Sequence, residues 1–98
     1  MIFLSYDVRL DKDINNQMNQ LKRSGQKDIV DRILRGLDKL ADDPLRPRTG
    51  VDILQLRDLE PTVFRLRIGD YRIFYTIDRV SRIVWVTGIL HRKRAYRK

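Results

Sequence analysis

The sequence contains no cysteine, a single histidine and a single glutamate, Glu60. Without cysteine the chain forms neither disulfides nor a thiolate metal site, and a reducing compartment is the natural expectation. One histidine excludes a multi-histidine metal site within a single chain. The sequence also has no glycine-rich phosphate loop and no zinc signature. We therefore expect neither a metal nor any other cofactor.

Long apolar runs are also missing. None approaches the roughly 18 residues that span a membrane, and the apolar start Met1–Leu4 is too short for a signal peptide. The 98 residues suffice for one hydrophobic core. These features predict a single domain over residues 1–98, cytoplasmic and without a membrane partner.

Basic charge, by contrast, is plentiful and unevenly placed. The net charge is +8, and residues 57–98 hold 11 Lys and Arg against 4 acidic residues, whereas residues 1–56 hold 10 against 9. Arginine supplies 15 of the 21 basic side chains and suits bidentate phosphate contacts. This distribution predicts a polyanionic partner, either nucleic acid or an acidic protein segment. The alternative is a basic surface that only aids solubility.

Apolar periodicity predicts the order of elements. A short strand, Ile2–Tyr6, is followed by a helix from Asp11, with Leu10 already in its apolar stripe. A second helix has apolar positions from Ile29 to Ala41, and Gly36 within it allows a close crossing with another helix. Four strands are expected after it: Ile53–Leu56, Val63–Ile68, Tyr71–Asp78 and Ile83–Leu90, the last of them central in the sheet. The fold class is therefore α+β, with an N-terminal strand, a helical hairpin and then an antiparallel β-sheet.

The segment around Gly69-Asp70 predicts a β-hairpin with a two-residue turn. In the predicted register Arg67 lies opposite Arg72, so that Arg65, Arg67 and Arg72 share one sheet face. Like charges directly opposite each other destabilise a sheet, and an anion bound over them offsets that cost. The hairpin therefore predicts a phosphate-binding surface; an ordinary solvated sheet face is the alternative.

Basic groups, a phenol and one imidazole suit the metal-independent cleavage of RNA, in which a 2′-OH attacks its neighbouring phosphate. Arginine stabilises the phosphate but is a poor general acid, so the candidate bases are Tyr96 and His91. Tyr96 is alternatively a packing aromatic, and His91 a residue at a strand end. Trp85, Tyr71 and Tyr75 are expected in the core.

Two segments resemble a known family. Val63–Tyr75 is similar to the hairpin motif of the RelE/ParE toxin superfamily, and His91–Tyr96 is similar to the C-terminal motif of its RelE-like mRNA interferase branch. The resemblance implies a RelE-like microbial ribonuclease-type fold and the toxin of a type II toxin–antitoxin system. Such a toxin is an endoribonuclease that cuts mRNA in the ribosomal A site and binds an acidic, RelB-like antitoxin in a hetero-oligomer.

The resemblance also implies roles for individual residues. Tyr96 corresponds to the base, and Arg72 and Arg92 to groups that stabilise the reacting phosphate, with His91 as an accessory. The cations expected to hold the substrate are Arg65, Arg67, Lys93 and Arg94.

This sequence departs from the family pattern at some positions. Arg65 and Arg67 stand where ribosome-dependent members carry Lys, and Leu90 stands where many relatives have Gly. The superfamily also contains non-nuclease ParE-like toxins that inhibit DNA gyrase, and an inactive member that only binds RNA or antitoxin is a further alternative. The set of Arg72, Arg92 and Tyr96 favours the ribonuclease.

Overall fold

The chain folds as two helices packed on one face of a five-stranded sheet. The structure, a computed structural model, describes residues 5–95 and, of these, the side chains of residues 5–93. The elements are β1 (Asp7–Leu10), α1 (Lys12–Arg23), α2 (Lys27–Asp42), β2 (Asp52–Gln55), β3 (Phe64–Ile68), β4 (Tyr71–Asp78), β5 (Ile83–His91) and α3 (Arg92–Ala95). The strand order is β1-β5-β4-β3-β2. This architecture confirms the predicted α+β class.

The two long helices form where the apolar periodicity predicts them. Asp11 caps α1, because its side chain accepts a hydrogen bond of 2.8 Å from the backbone N–H of Ile14. The buried residues of α1 and α2 join those of the strands in one core. At its centre Ile33 and Leu40 of α2 and Ile73 of β4 are fully buried. One sheet face is thereby covered, and the other, which we call the open face, carries the side chains that alternate with the core residues. None of the helices within residues 5–95 is long and apolar enough to cross a membrane.

Gly36 sets the distance between α2 and the sheet. A Cβ atom at this position would lie 2.7 Å from Cδ1 of Ile68 and 3.1 Å from Cδ2 of Leu66. The close approach predicted for Gly36 is therefore present, but its partner is strand β3 and not another helix.

The first strand differs from the prediction. β1 spans Asp7–Leu10 and not Ile2–Tyr6, and of the predicted range only residues 5 and 6 lie within the described part of the chain. Leu10 ends this strand instead of starting the helix, because Val8 and Leu10 both turn toward the core. β1 pairs with β5 in parallel, Val8 opposite Val84, so the sheet is mixed rather than wholly antiparallel.

Strand β5 lies in the interior of the sheet, between β1 and β4, although β4 holds the central position. Its apolar residues divide between the two faces. Val84 and Val86 are buried, whereas Trp85 and Leu90 are 41% and 37% exposed. The prediction of a core tryptophan is therefore wrong, because only one face of this sheet is covered by helices.

Candidate nucleic-acid interface

The hairpin of β3 and β4 has the register that the sequence predicts. Arg67 lies opposite Arg72 and Arg65 opposite Phe74, and the turn is possible because Gly69 has φ = 56°. The three arginines start from the open face, while their neighbours along each strand face the core and are buried, apart from the half-buried Tyr71. A cluster of like charges therefore lies on the face of the sheet opposite to α1 and α2.

Arg72 is buried although it belongs to the open face. Its side chain is 6% exposed, and Nη1 donates hydrogen bonds of 3.1 Å to the carbonyl oxygens of both Gly69 and Tyr71. These bonds fix the guanidinium against the hairpin turn. Because electrostatic interactions are stronger where water is excluded, this fixed cation is well suited to stabilise negative charge at the surface.

Arg65 and Arg67 differ in how they are paired. Nη2 of Arg65 donates a 2.8 Å hydrogen bond to Oδ1 of Asp52, and its Nε is buried with no hydrogen-bond partner. Arg67 is exposed, and its side chain makes neither a hydrogen bond nor an ion pair within the described residues. Asp52 faces Arg67 directly across β2 and β3 but is engaged by Arg65. The Arg67 guanidinium is therefore available to a ligand.

Arg92 joins this end of the sheet through the hairpin turn. Its backbone N–H donates a 2.6 Å hydrogen bond to the carbonyl oxygen of Asp70, and its Nε lies 3.5 Å from Oδ1 of the same residue. The start of α3 is therefore fixed against the turn that follows Arg67 and precedes Arg72. The structure brings four of the predicted site residues, Arg65, Arg67, Arg72 and Arg92, to one end of the sheet.

His91 lies on the other side of the sheet. It pairs with Tyr71 in the register of β4 and β5, and the two rings pack edge to face with centroids 5.3 Å apart. Its Nδ1 accepts a 3.3 Å hydrogen bond from the backbone N–H of Lys93. The structure therefore does not bring His91 together with the arginines; it places the ring beneath the start of α3.

Of the remaining predicted residues, the structure describes the side chain of Lys93 alone. The Lys93 side chain is exposed and lines a cleft beside α1 together with His91, away from the arginine cluster. Tyr96 and the side chain of Arg94 lie outside the described residues.

The two tyrosines of β4 are structural. Tyr75 is fully buried, and its hydroxyl donates a 2.7 Å hydrogen bond to the carbonyl oxygen of Pro44. Burial raises the pKa of the Tyr75 phenol, which makes this side chain unsuitable as a base. Tyr71 is half-buried, and its hydroxyl donates a 3.2 Å hydrogen bond to Oε1 of Gln26.

An aromatic surface on the open face was missed by the sequence analysis. The Trp85 ring is 41% exposed, and the guanidinium of Arg9 lies 5.5 Å from the ring centroid. Flat aromatic side chains on a basic surface provide stacking sites for nucleic-acid bases. The sequence carries no clear signal for this exposure, because Ile83–Leu90 is a nearly continuous apolar run that does not show which face of the strand is covered.

The described residues offer little to a metal ion. Within residues 5–95 no group of three His, Asp or Glu side chains is arranged to hold one. The site contains instead a set of guanidinium groups, of which that of Arg72 is buried and that of Arg67 is exposed. Such groups can bind a phosphodiester and stabilise charge that develops on it.

Comparison with known proteins identifies a matching family and similar solved structures. Residues 5–96 match the family model described as the ParE toxin of type II toxin–antitoxin system, parDE. The archaeal RelE–RelB complex from Pyrococcus horikoshii OT3 contains a similar chain, with a TM-score of 0.75, 25% identity, and coverage of 92% of this chain and 98% of that one. The toxin–antitoxin complex RelBE2 from Mycobacterium tuberculosis has a TM-score of 0.71 and 25% identity, and covers 90% of this chain and 99% of that one. No curated protein sequence matches the chain.

Proposed function

Because the chain belongs to the RelE/ParE toxin superfamily of type II toxin–antitoxin systems, we propose that it is an endoribonuclease that cuts mRNA in the ribosomal A site without a metal ion. The observation that carries this proposal is the arginine cluster at the hairpin end of the open face. There a buried and hydrogen-bonded guanidinium, Arg72, lies directly opposite an exposed one, Arg67. A nuclease that uses no metal needs such fixed positive charge at the reacting phosphate.

In the proposed reaction the 2′-oxygen of a nucleotide forms a bond to the adjacent phosphorus while the bond to the 5′-oxygen breaks. A base takes the proton of the 2′-OH, and water supplies a proton to the departing 5′-oxygen. The products are a 2′,3′-cyclic phosphate and a 5′-hydroxyl. Arg72 and Arg92 stabilise the charge that accumulates on the phosphate oxygens, and Arg65 and Arg67 bind the strand. None of the four acts as the acid, since arginine hardly deprotonates.

We assign the role of base to Tyr96. His91 faces the helix-covered side of the sheet, and we give it a positioning role. Its Nδ1 holds the Lys93 backbone at the first turn of α3, which is the segment that leads toward Tyr96. In this proposal the ring supports the first turn of α3 and does not contact the substrate.

The proposed protein partner is an acidic antitoxin of the RelB type. Both similar structures are complexes of a toxin with its antitoxin, and the net charge of +8 favours an acidic partner. The proposed substrate complex is the ribosome with mRNA in its A site.

One specific observation favours a second candidate function. The family model that matches is that of the ParE toxin, and the superfamily includes gyrase inhibitors that cut no RNA. In that case the open face would bind its target without any phosphoryl transfer, and the arginines would serve affinity alone.

A direct assay separates the two functions. Purified protein is incubated with ribosomes carrying end-labelled mRNA, and the ends produced are analysed chemically; the same preparation is tested for inhibition of supercoiling by DNA gyrase. We expect cuts with 5′-hydroxyl ends, reduced at least about a hundredfold in Arg72→Ala and unchanged in Arg79→Ala, an exposed arginine beyond the far end of β4. Since Arg72 is buried, thermal unfolding is measured for each variant, and Arg67→Gln provides an exposed position at the same site. Inhibition of DNA gyrase without cleavage of the mRNA would overturn the proposed ribonuclease function.

A further inference from the structure

A second basic surface lies on the helix side of the hairpin, where neither the mechanism nor the comparisons assign a role. It is a cleft of about 300 Å³ between α2 and the turn of β3 and β4, and we call it the α2 cleft. The residues that matter for its chemistry are Arg32, Arg35, Lys39, Arg67, Gly50 and Gly69. None of the described residues that line it is acidic.

The four cations of the α2 cleft are unpaired. Arg32, Arg35, Lys39 and Arg67 are all exposed, and within the described residues their side chains make no hydrogen bond or ion pair. Arg35 and Lys39 are one helical turn apart, a spacing at which like charges destabilise a helix. A surface that gathers unpaired like charges in a concavity is suited to an anionic ligand.

The backbone brings these charges together. Gly36 allows α2 to lie against β3, and Arg32, Arg35 and Lys39 follow one another on the helix at spacings of three and four residues. Gly69 has no side chain, and the Arg32 guanidinium lies against it; a Cβ atom there would be 3.0 Å from Nη1. The cations of the helix thereby reach the turn that also carries the arginine cluster.

Arg67 belongs to both surfaces. It lies opposite Arg72 on the open face and also lines the α2 cleft. The two basic surfaces therefore meet at Arg67, near the end of the hairpin. A single ligand with charges at regular intervals along its length can contact both, which is the property of a nucleic-acid backbone.

We propose that the α2 cleft binds backbone phosphates of the same RNA strand whose neighbouring phosphodiester lies over the arginine cluster. The proposal rests on the proposed function, because it extends the substrate contact of that site. Three of the four cations are arginines, whose forked donors match phosphate oxygens. Contacts of this kind position the strand and add affinity, and they carry no sequence information.

The test compares two triple variants with the same loss of charge. Arg32→Gln/Arg35→Gln/Lys39→Gln removes the helix cations of the cleft and leaves Arg67 in place. The control, Lys12→Gln/Arg23→Gln/Arg79→Gln, removes two arginines and a lysine that are exposed and do not line the cleft. Binding of a single-stranded RNA of about ten nucleotides, made uncleavable by 2′-O-methyl groups, is measured at several salt concentrations.

We expect the cleft variant to bind this RNA at least tenfold more weakly than the control near 0.1 M salt. Its plot of log affinity against log salt should be shallower by about 2, because each lost phosphate contact on a single strand contributes about 0.7 to the slope. Equal affinities and slopes for the two triple variants would overturn the proposal. So would a cleft variant that binds RNA like the control but loses binding to a polyglutamate peptide, since the cleft would then serve an acidic protein.

Cleavage of ribosome-bound mRNA is measured in parallel and distinguishes the two claims. If the wild-type protein cuts mRNA and both triple variants have the same RNA affinity, the α2 cleft does not bind RNA, while the proposed ribonuclease function is retained. If the wild-type protein does not cut, the proposed function fails, whatever the salt dependence of the variants. The cleft variant should still cut at saturating RNA, because Arg65, Arg67, Arg72 and Arg92 are intact.

Discussion

Arg67 and Arg72 lie directly opposite each other on adjacent strands, with one guanidinium exposed and the other 6% exposed and bonded to two backbone carbonyls. Asp52, the carboxylate that faces Arg67 across β2 and β3, forms its ion pair with Arg65. The fold thus contains an electrostatic conflict at one end of the hairpin. A bound phosphate gives a physical reason for this conflict, because its negative charge would offset the repulsion between the two arginines.

Removal of the exposed partner should make the protein more stable and less active. In Arg67→Gln the cross-strand repulsion is lost, and we expect the free energy of unfolding to rise by about 0.3–0.5 kcal/mol at low salt. RNA affinity and cleavage should fall in the same variant. Urea denaturation at low and high salt, compared with Arg79→Gln, measures the change; a decrease in stability for Arg67→Gln would contradict this account of the pair.

Tyr75 connects the sheet to the loop after α2. In Tyr75→Phe the buried carbonyl oxygen of Pro44 loses its 2.7 Å hydrogen bond, so we expect the free energy of unfolding to fall by about 1–3 kcal/mol. Tyr71→Phe removes a 3.2 Å bond to Gln26 in an exposed setting and serves as the control. Equal decreases in the free energy of unfolding of the two variants, measured by urea denaturation, would contradict a larger contribution from the buried hydrogen bond to Pro44.

Gly36 is required by the close contact of α2 with β3. A leucine at this position would collide with Ile68 and Leu66, and we expect Gly36→Leu to lower the free energy of unfolding by about 2–3 kcal/mol. Asp38→Leu places the same side chain on an exposed position of the same helix and should change stability little. A Gly36→Leu protein as stable as Asp38→Leu would contradict the tight packing described for this helix.

Asp43 makes stability depend on pH in the acid range. The pKa of Asp43 is lowered mainly because its carboxylate accepts a 2.9 Å hydrogen bond from the backbone N–H of Leu45, and Arg46 adds to the effect. A pKa lower in the folded state means that the ionised carboxylate stabilises the fold above about pH 4, and that this contribution is lost as the pH falls further.

Asp43→Asn should therefore be less stable than the wild-type protein at neutral pH, and the difference should shrink as the pH falls below about 4. Denaturation curves at several pH values measure this, with Asp42→Asn as a neighbouring exposed control. A difference that does not vary with pH would contradict the role of the ionised carboxylate.

The hairpin could be predicted from the sequence down to its register because the information is local. Alternation in β3 and β4 and the glycine in the turn define which residues face each other. The position of β1 could not be predicted in this way, since it depends on parallel pairing with β5, a strand at the other end of the chain.

The exposure of Trp85, the position of His91 and the α2 cleft could not be predicted from the sequence, because each depends on contacts between distant segments. Trp85 is exposed because helices cover one face of β5 only, and a continuous apolar run does not reveal this. His91 was grouped with the arginines by its place in the sequence, but its pairing with Tyr71 turns it to the opposite side. The α2 cleft arises from the contact between a helix and a distant turn, so neither segment predicts it alone.

As an endoribonuclease that acts on the ribosome, the chain should cut mRNA during translation while the arginine cluster holds the reacting phosphate. The most direct measurement is to induce the chain in cells, alongside an Arg72→Ala/Tyr96→Phe double variant, and to map mRNA 5′ ends across the genome. We expect new ends at a fixed position within translated codons in cells with the wild-type chain, and none in cells with the double variant. Growth arrest by the wild-type protein without new mRNA ends would contradict it.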